Sequence, residues 1–153
     1  QTDDFGTDVD LHLLHPRAND WSTGQDRSCN YTNRNPDWGR IGYVGDDPSL
    51  DIDDVNGAGP ENINVSDPED TSEYARGYRV GAHYYSASLS SSVDDFGDAE
   101  SEVTVRIFLD GRLAHEERKI LNSTNDLWAV GEITFQGASG AFQRDGTLTQ
   151  MTP

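Results

Sequence analysis

Between Asp46 and Asn62 the chain reads DDPSLDIDDVNGAGPEN, placing six acids (Asp46, Asp47, Asp51, Asp53, Asp54 and Glu61) in seventeen residues with no Lys or Arg among them. Carboxylates at ~6 Å in an effective dielectric of ~20 repel by roughly 3 kcal/mol per pair, and a bound cation removes that cost. Hard oxygen donors with no Cys or His inside the stretch suit Ca²⁺ better than Zn²⁺ or copper. Gly57, Gly59 and Pro60 supply a tight backbone on which oxygens converge. The spacing is not that of an EF-hand, because Asp54-Val55 pushes Asn56-Gly57 one place beyond the glycine position of that loop. The competing reading is a solvated acidic loop in an acidic protein.

The elements that must hold this stretch are strands. At 153 residues, with 33% apolar residues, fifteen glycines and six prolines, the chain suits one all-β domain with long polar loops. A polar leader is expected over residues 1–7 and a single domain over 8–153. Asp8 to Leu14 alternates, with Val9, Leu11 and Leu13 on one side and Asp8, Asp10 and His12 on the other; that is a strand with a solvent face. Asp8 and Asp10 join the acids of the central stretch if the two segments lie side by side. The expected ligand set is therefore Asp51, Asp53, Asp54 and Glu61 through carboxylates, Asn56 or Asn62 through a carbonyl, and Asp8 or Asp10 from the neighbouring strand.

Arg17 to Arg40 is long, polar and without periodicity, which predicts a loop. Its Trp21, Tyr31 and Trp38 stand among asparagines, and such rings either stack on a sugar or fold back to plug the end of the domain. A short strand is expected at Ile41 to Val44. Leu50–Asp53 and Asn62–Val65 flank the acidic turn. Gly77–Ser86 reads as a central strand with Tyr78, Val80, Ala82 and Tyr84 inward. Val103–Leu109 runs into Asp110-Gly111, a strong hairpin signal, and Arg112–Leu121 returns as its partner. That strand's charged middle, His115 to Lys119, marks an exposed edge. Leu127–Phe135 is a buried strand, Gly137–Gly146 a loop, and Thr147–Met151 a short final strand. Eight or nine short strands with no helical period predict an antiparallel β-sandwich, jelly-roll or Ig-like.

Net charge is −17, opposite in sign to what phosphate binding needs, so nucleic acid is not an expected partner. No apolar run approaches the ~20 residues of a helical membrane span, and no membrane insertion is expected. Cys29 stands alone and is expected to be buried. A start at Gln1 is read as a processed product or a fragment, and Asn30, Asn64 and Asn122 open glycosylation sequons that suit an extracellular protein. The four histidines are scattered in sequence and match no catalytic signature; His12 and His83 are expected to hydrogen-bond neighbouring groups on strand faces.

Asp8-Val9-Asp10-Leu11-His12, then Leu50-Asp51-Ile52-Asp53-Asp54 leading to Gly59-Pro60-Glu61-Asn62, resembles a family of small bacterial β-sandwich domains appended to secreted and surface proteins. These domains are similar to the pre-peptidase C-terminal domains of secreted proteases. Gly77 to Gly81, His83-Tyr84-Tyr85, Val103-Thr104-Val105, Asp110-Gly111 and Leu127 to Gly131 continue the likeness, which covers about Asp8 to Phe135. The resemblance implies a non-catalytic, calcium-stabilised accessory module at the cell surface or outside it, serving adhesion, anchoring or substrate targeting. Its partners would be an extracellular protein or polysaccharide. Two alternatives stay open: a self-assembling subunit of a filament or sheath, and a carbohydrate-binding module using Trp21, Tyr31 and Trp38.

Overall fold

A computed structural model of the chain describes residues 7–21, 26–52, 61–87, 101–121 and 125–150; at 7–8, 51–52, 85–87 and 101 the description is of the backbone. The fold is all-β, and every pairing between its strands is antiparallel. The described strands are β1 (Thr7–Leu14), β2 (Ser28–Cys29), β3 (Ser49–Ile52), β4 (Asn62–Asn64), β5 (Tyr78–Ala87), β6 (Ser101–Leu109), β7 (Arg112–Leu121), β8 (Asp126–Gln136) and β9 (Ser139–Gln150). Five of them form one sheet in the order β2-β1-β5-β8-β9, while β3-β4 and β6-β7 form two-stranded sheets.

Alternation fixes which residues face the core. The rows Leu11–Ala82–Trp128 and Leu13–Val80–Gly131 cross the large sheet on one face; Asp10–His83–Leu127 and His12–Gly81–Ala129 cross it on the other. On the first face Tyr78, Val80, Ala82, Tyr84 and Trp128 meet Val105, Ile107 and Leu121 of the β6–β7 hairpin and Leu50 of β3 in one buried cluster. Each fully buried aliphatic or aromatic side chain there is worth about 1.5–3 kcal/mol. The hairpin turns at Asp110-Gly111 with φ of 54° and 78°, the left-handed pair that a tight two-residue connection requires. Its free side is fastened to β9 by side chains: Glu117 accepts from Arg144 at 2.7–3.0 Å, and the His115 ring stacks on Phe142 at 4.5 Å.

Four expectations are corrected. Ile41 to Val44 is not a strand; it is a turn leading into a short 3-10 segment at Val44–Asp46, with Ile41 89% and Val44 81% exposed, and Gly42 takes a φ of 82° that breaks extended backbone. Gly137 to Gly146 is not a loop, because the backbone hydrogen bonds of β8 continue along nearly the whole of β9. Only residues 137 and 138 form the turn. The Arg17–Arg40 connection contains β2, which pairs Leu13 with Cys29. Finally, β1 has no solvent face at its centre: Asp10 is 1% exposed and His12 0%.

Candidate functional site

The acidic stretch opens with two residues whose job is local. Asp46 Oδ2 accepts the Arg40 amide at 2.7 Å, and Asp47 Oδ1 accepts the Trp38 amide at 2.7 Å. Charge-assisted bonds to main-chain N–H groups of this kind hold a loop that has no ladder of its own. At the other end of the stretch, Glu61 Oε1 accepts the Leu11 amide at 2.8 Å, against an edge of β1 on which β2 pairs only Leu13 and Leu14. The Glu61 end of the stretch thus lies beside Leu11 of the strand that bears Asp8 and Asp10. Of the remaining expected ligands, Asn62 is an exposed residue of β4, Asp8 and Asp51 are placed by backbone only, and Asp53, Asp54 and Asn56 lie outside the described residues. Among the described residues no three His, Cys, Asp or Glu side chains are grouped so as to hold a metal.

A polar cleft of about 620 Å³ lies beside the 38–47 loop, lined by six carboxylates (Asp26, Asp37, Asp46, Asp67, Glu69, Asp70) and three guanidiniums (Arg17, Arg27, Arg40), with His15, Trp38, Tyr43 and Tyr74. Glu69 organises its inner wall. Its Oε2 stands 2.6 Å from His15 Nε2, its Oε1 accepts from the Tyr74 hydroxyl at 2.6 Å, and its amide donates to the Tyr78 hydroxyl at 2.8 Å. Burial pushes the His15 imidazole below its ordinary value, against the pull of Glu69 in the other direction. Burial likewise raises the Tyr78 phenol, since it penalises the charged form of either group. The Asp47 carboxyl is raised chiefly by desolvation, with Asp37 and Asp46 adding repulsion and the Trp38 amide opposing.

Gly39 lets the backbone pack directly against two carboxyl groups. Its φ is 64°, and a Cβ there would stand 2.4 Å from Asp46 Oδ2, 2.9 Å from Asp46 Cγ and 3.2 Å from Glu69 Cδ. The two carboxyl carbons therefore lie within about 6 Å of each other, close enough for several kcal/mol of unscreened repulsion. Asp46 is 7% exposed, and its Oδ1 is buried with no hydrogen bond.

The aromatic residues of the 17–40 connection do not share a plane on the surface. Trp38 is 4% exposed; it stacks near Tyr78 and meets His15 edge-on, and its indole donates to the Asp26 carbonyl. It plugs the end of the domain. Trp21 covers the second face of the large sheet at Gly81, where a Cβ would come within 2.7 Å of its ring, and the Arg79 guanidinium lies over the Trp21 ring, 5.8 Å from its centroid. Tyr31 packs half-buried against the core. Asn30 is fully buried; its amide donates to Ser28 and its Oδ1 accepts from Thr32. Of the sequon asparagines, Asn30 is thus buried with its amide nitrogen engaged, while Asn64 is exposed.

On that second face His12 and His83 meet edge to face, ring centroids 5.6 Å apart. His83 Nε2 reaches Asn125 Oδ1 at 3.3 Å, as expected of a hydrogen-bonded strand-face residue. His12 differs from expectation: neither ring nitrogen has a hydrogen bond, and burial, then the neighbouring His83, pushes it down to about 3. Cys29 is buried, its thiol directed at the Arg34 carbonyl. Sequence reasoning missed the grouping of His15, Glu69 and Asp46, which come from three separate loops; the one available signal was the Trp38-Gly39 pair eight residues ahead of Asp46-Asp47.

No protein family, no curated protein and no solved structure matches the chain.

Proposed function

We propose that this chain is a non-catalytic, Ca²⁺-stabilised binding module that works outside the cell or at its surface, in adhesion, anchoring or substrate targeting. The observation that carries the calcium reading is the bond from the Leu11 amide to Glu61, which draws the end of the acidic stretch against the strand bearing Asp8 and Asp10. The ion would neutralise carboxylates from two segments at once and so pin the 53–60 connection to the sheet. Because Asp46, Asp47 and Glu61 already serve main-chain amides, the ion's own carboxylates would come chiefly from Asp51, Asp53, Asp54 and the β1 pair. The chemistry of that donor set, all hard oxygens, fits Ca²⁺. A surplus of seventeen negative charges fits a divalent-rich exterior, where screening relieves self-repulsion.

The experiment is a thermal melt in chelator and in millimolar Ca²⁺. At a hundredfold excess over the dissociation constant, binding adds about 2.7 kcal/mol, and for a chain of this size the expected rise in Tm is roughly 5–10 °C. Identical melts in chelator and Ca²⁺ would count against calcium stabilisation.

A further inference from the structure

We propose that an extended segment of a protein partner docks along the edge of β6, apolar at every second position and carrying Lys or Arg between. This docking, which rests on the binding-module reading above but not on its ion, would give the module its partner-binding surface. A groove of about 570 Å³ runs between β4 and β6 over the core face of the large sheet. Leu11, Val80 and Phe135 of the three neighbouring strands β1, β5 and β8 form its floor. Ile63 of β4 stands on one wall, and Val103, Val105 and Ile107 of β6 on the other. Among the described strands β6 pairs with β7 alone, and no described residue of β7 lines the groove. The second edge of β6 therefore faces it, with the main-chain N–H and C=O groups that a further strand would use.

Three features of the groove favour a strand, and charge selects its source. The core is incompletely covered here: eight of the ten half-buried apolar residues packed against it line the groove, whereas protein interiors are ordinarily close-packed. The floor spans three strands, two strand spacings or roughly 10 Å, enough for a single strand to lie between β4 and β6. Soluble proteins blunt open edges with charges, Pro or bulges. The groove side of β6 is instead Val103, Val105 and Ile107 in unbroken alternation, its one irregularity falling after Ile107. An aliphatic ligand would cover those side chains but leave the edge's polar groups facing hydrocarbon; a peptide backbone meets both. Glu61 and Glu102 line the groove, and its Arg106 is held by Glu116 at 3.1 Å. The chain carries a surplus of seventeen negative charges. A second copy would bring that same charge, while a basic segment is drawn to it.

The probe is a synthetic nine-residue peptide, the length of β6, alternating valine with lysine and threonine, and the readout is amide exchange of the wild-type chain by NMR. With peptide, every second amide from Glu102 to Phe108 is expected to exchange at least tenfold more slowly; in the chain alone those amides exchange freely. Of the two peptides N-methylated at alternate amides, the one blocked on the side facing β6 should bind at least tenfold more weakly. Glu102→Lys, a substitution at an exposed position, should weaken binding about fivefold and flatten its salt dependence. Protection that falls only on the outer strands β2 or β9, or equal binding of both methylated peptides, overturns the proposal. So does equal binding of a peptide with glutamate in place of lysine. Protection of β6 already present in the dilute chain would mean that the chain covers its own edge; protection that grows as the chain is concentrated would make the occupant a second copy. Either overturns a partner's strand. Every measurement is made in millimolar Ca²⁺ and again in chelator, so that a failed calcium reading shows in the melts and a failed groove in the peptide.

Discussion

The hairpin β6–β7 should loosen from the large sheet when Glu117 loses its charge. Four of its contacts fix the expectation: Arg144 Nε stands 3.0 Å from both carboxylate oxygens, Arg144 Nη2 2.7 Å from Oε2, and His115 Nε2 2.8 Å from Oε1. The Arg144 hydrogen bonds, helped by His115, hold the Glu117 carboxyl at about 2, against its ordinary 4.5. Taken at face value that difference corresponds to about 3 kcal/mol. The Arg144 side chain is 56% exposed, so solvent screening cuts the contribution to about 1–1.5 kcal/mol. The folded carboxyl titrates below the unfolded one. Its contribution is therefore complete above pH 4.5 and fades as pH falls toward 2. Glu117→Gln should lower Tm by roughly 3–5 °C at pH 7 and by much less at pH 3. A double-mutant cycle of Glu117→Gln with Arg144→Gln, followed by urea denaturation, isolates the pair. A coupling under about 0.3 kcal/mol, or one as large at pH 2 as at pH 7, would refute the latch.

Two further outcomes are open to test. Gly77→Ala should cost about 2–4 kcal/mol, because its Cβ would stand 2.1 Å from the Ile133 carbonyl oxygen, a backbone atom that cannot step aside; a urea midpoint close to wild type would contradict the close approach. His12, held neutral at about 3 by burial and then by His83, refuses a proton that the unfolded chain accepts below its ordinary 6.5. Stability should thus be full above pH 6.5 and decline as pH falls toward 3, and His12→Leu should flatten that decline without loss at pH 7. Denaturation curves at pH 7 and pH 5 decide it: an equal acid loss in both chains would show that His12 is not its source.

Much of the strand framework was legible because alternation is a local property. Tyr78, Val80, Ala82 and Tyr84 repeat every second residue, and they line the core face of β5. Asp110-Gly111 carries its turn in two residues, whose left-handed backbone suits few others. Where local pattern is silent, sequence reasoning fell short. β9 runs from Ser139 to Gln150 with mostly exposed side chains, so nothing in its composition distinguishes it from a loop; its hydrogen bonds to β8 make it a strand. Ile41 and Val44 look like strand residues, yet they sit at an exposed turn, because Gly42 breaks extended backbone between them and the short 3-10 segment begins at Val44.

The site follows the same division. Composition and order alone determined that the chain is acidic, rich in strands and crowded with oxygen donors between Asp46 and Asn62. Only the tertiary structure decided which of those carboxylates serve their own backbone, since Asp46, Asp47 and Glu61 find their amides six, nine and fifty residues away. It also decided that Asp10 and His12 lie inside, because the cover over the second sheet face, Trp21 on Gly81 among it, comes from elements that alternation along β1 does not register. A strand's own residues say which side each faces; whether that side meets water depends on what other segments fold across it.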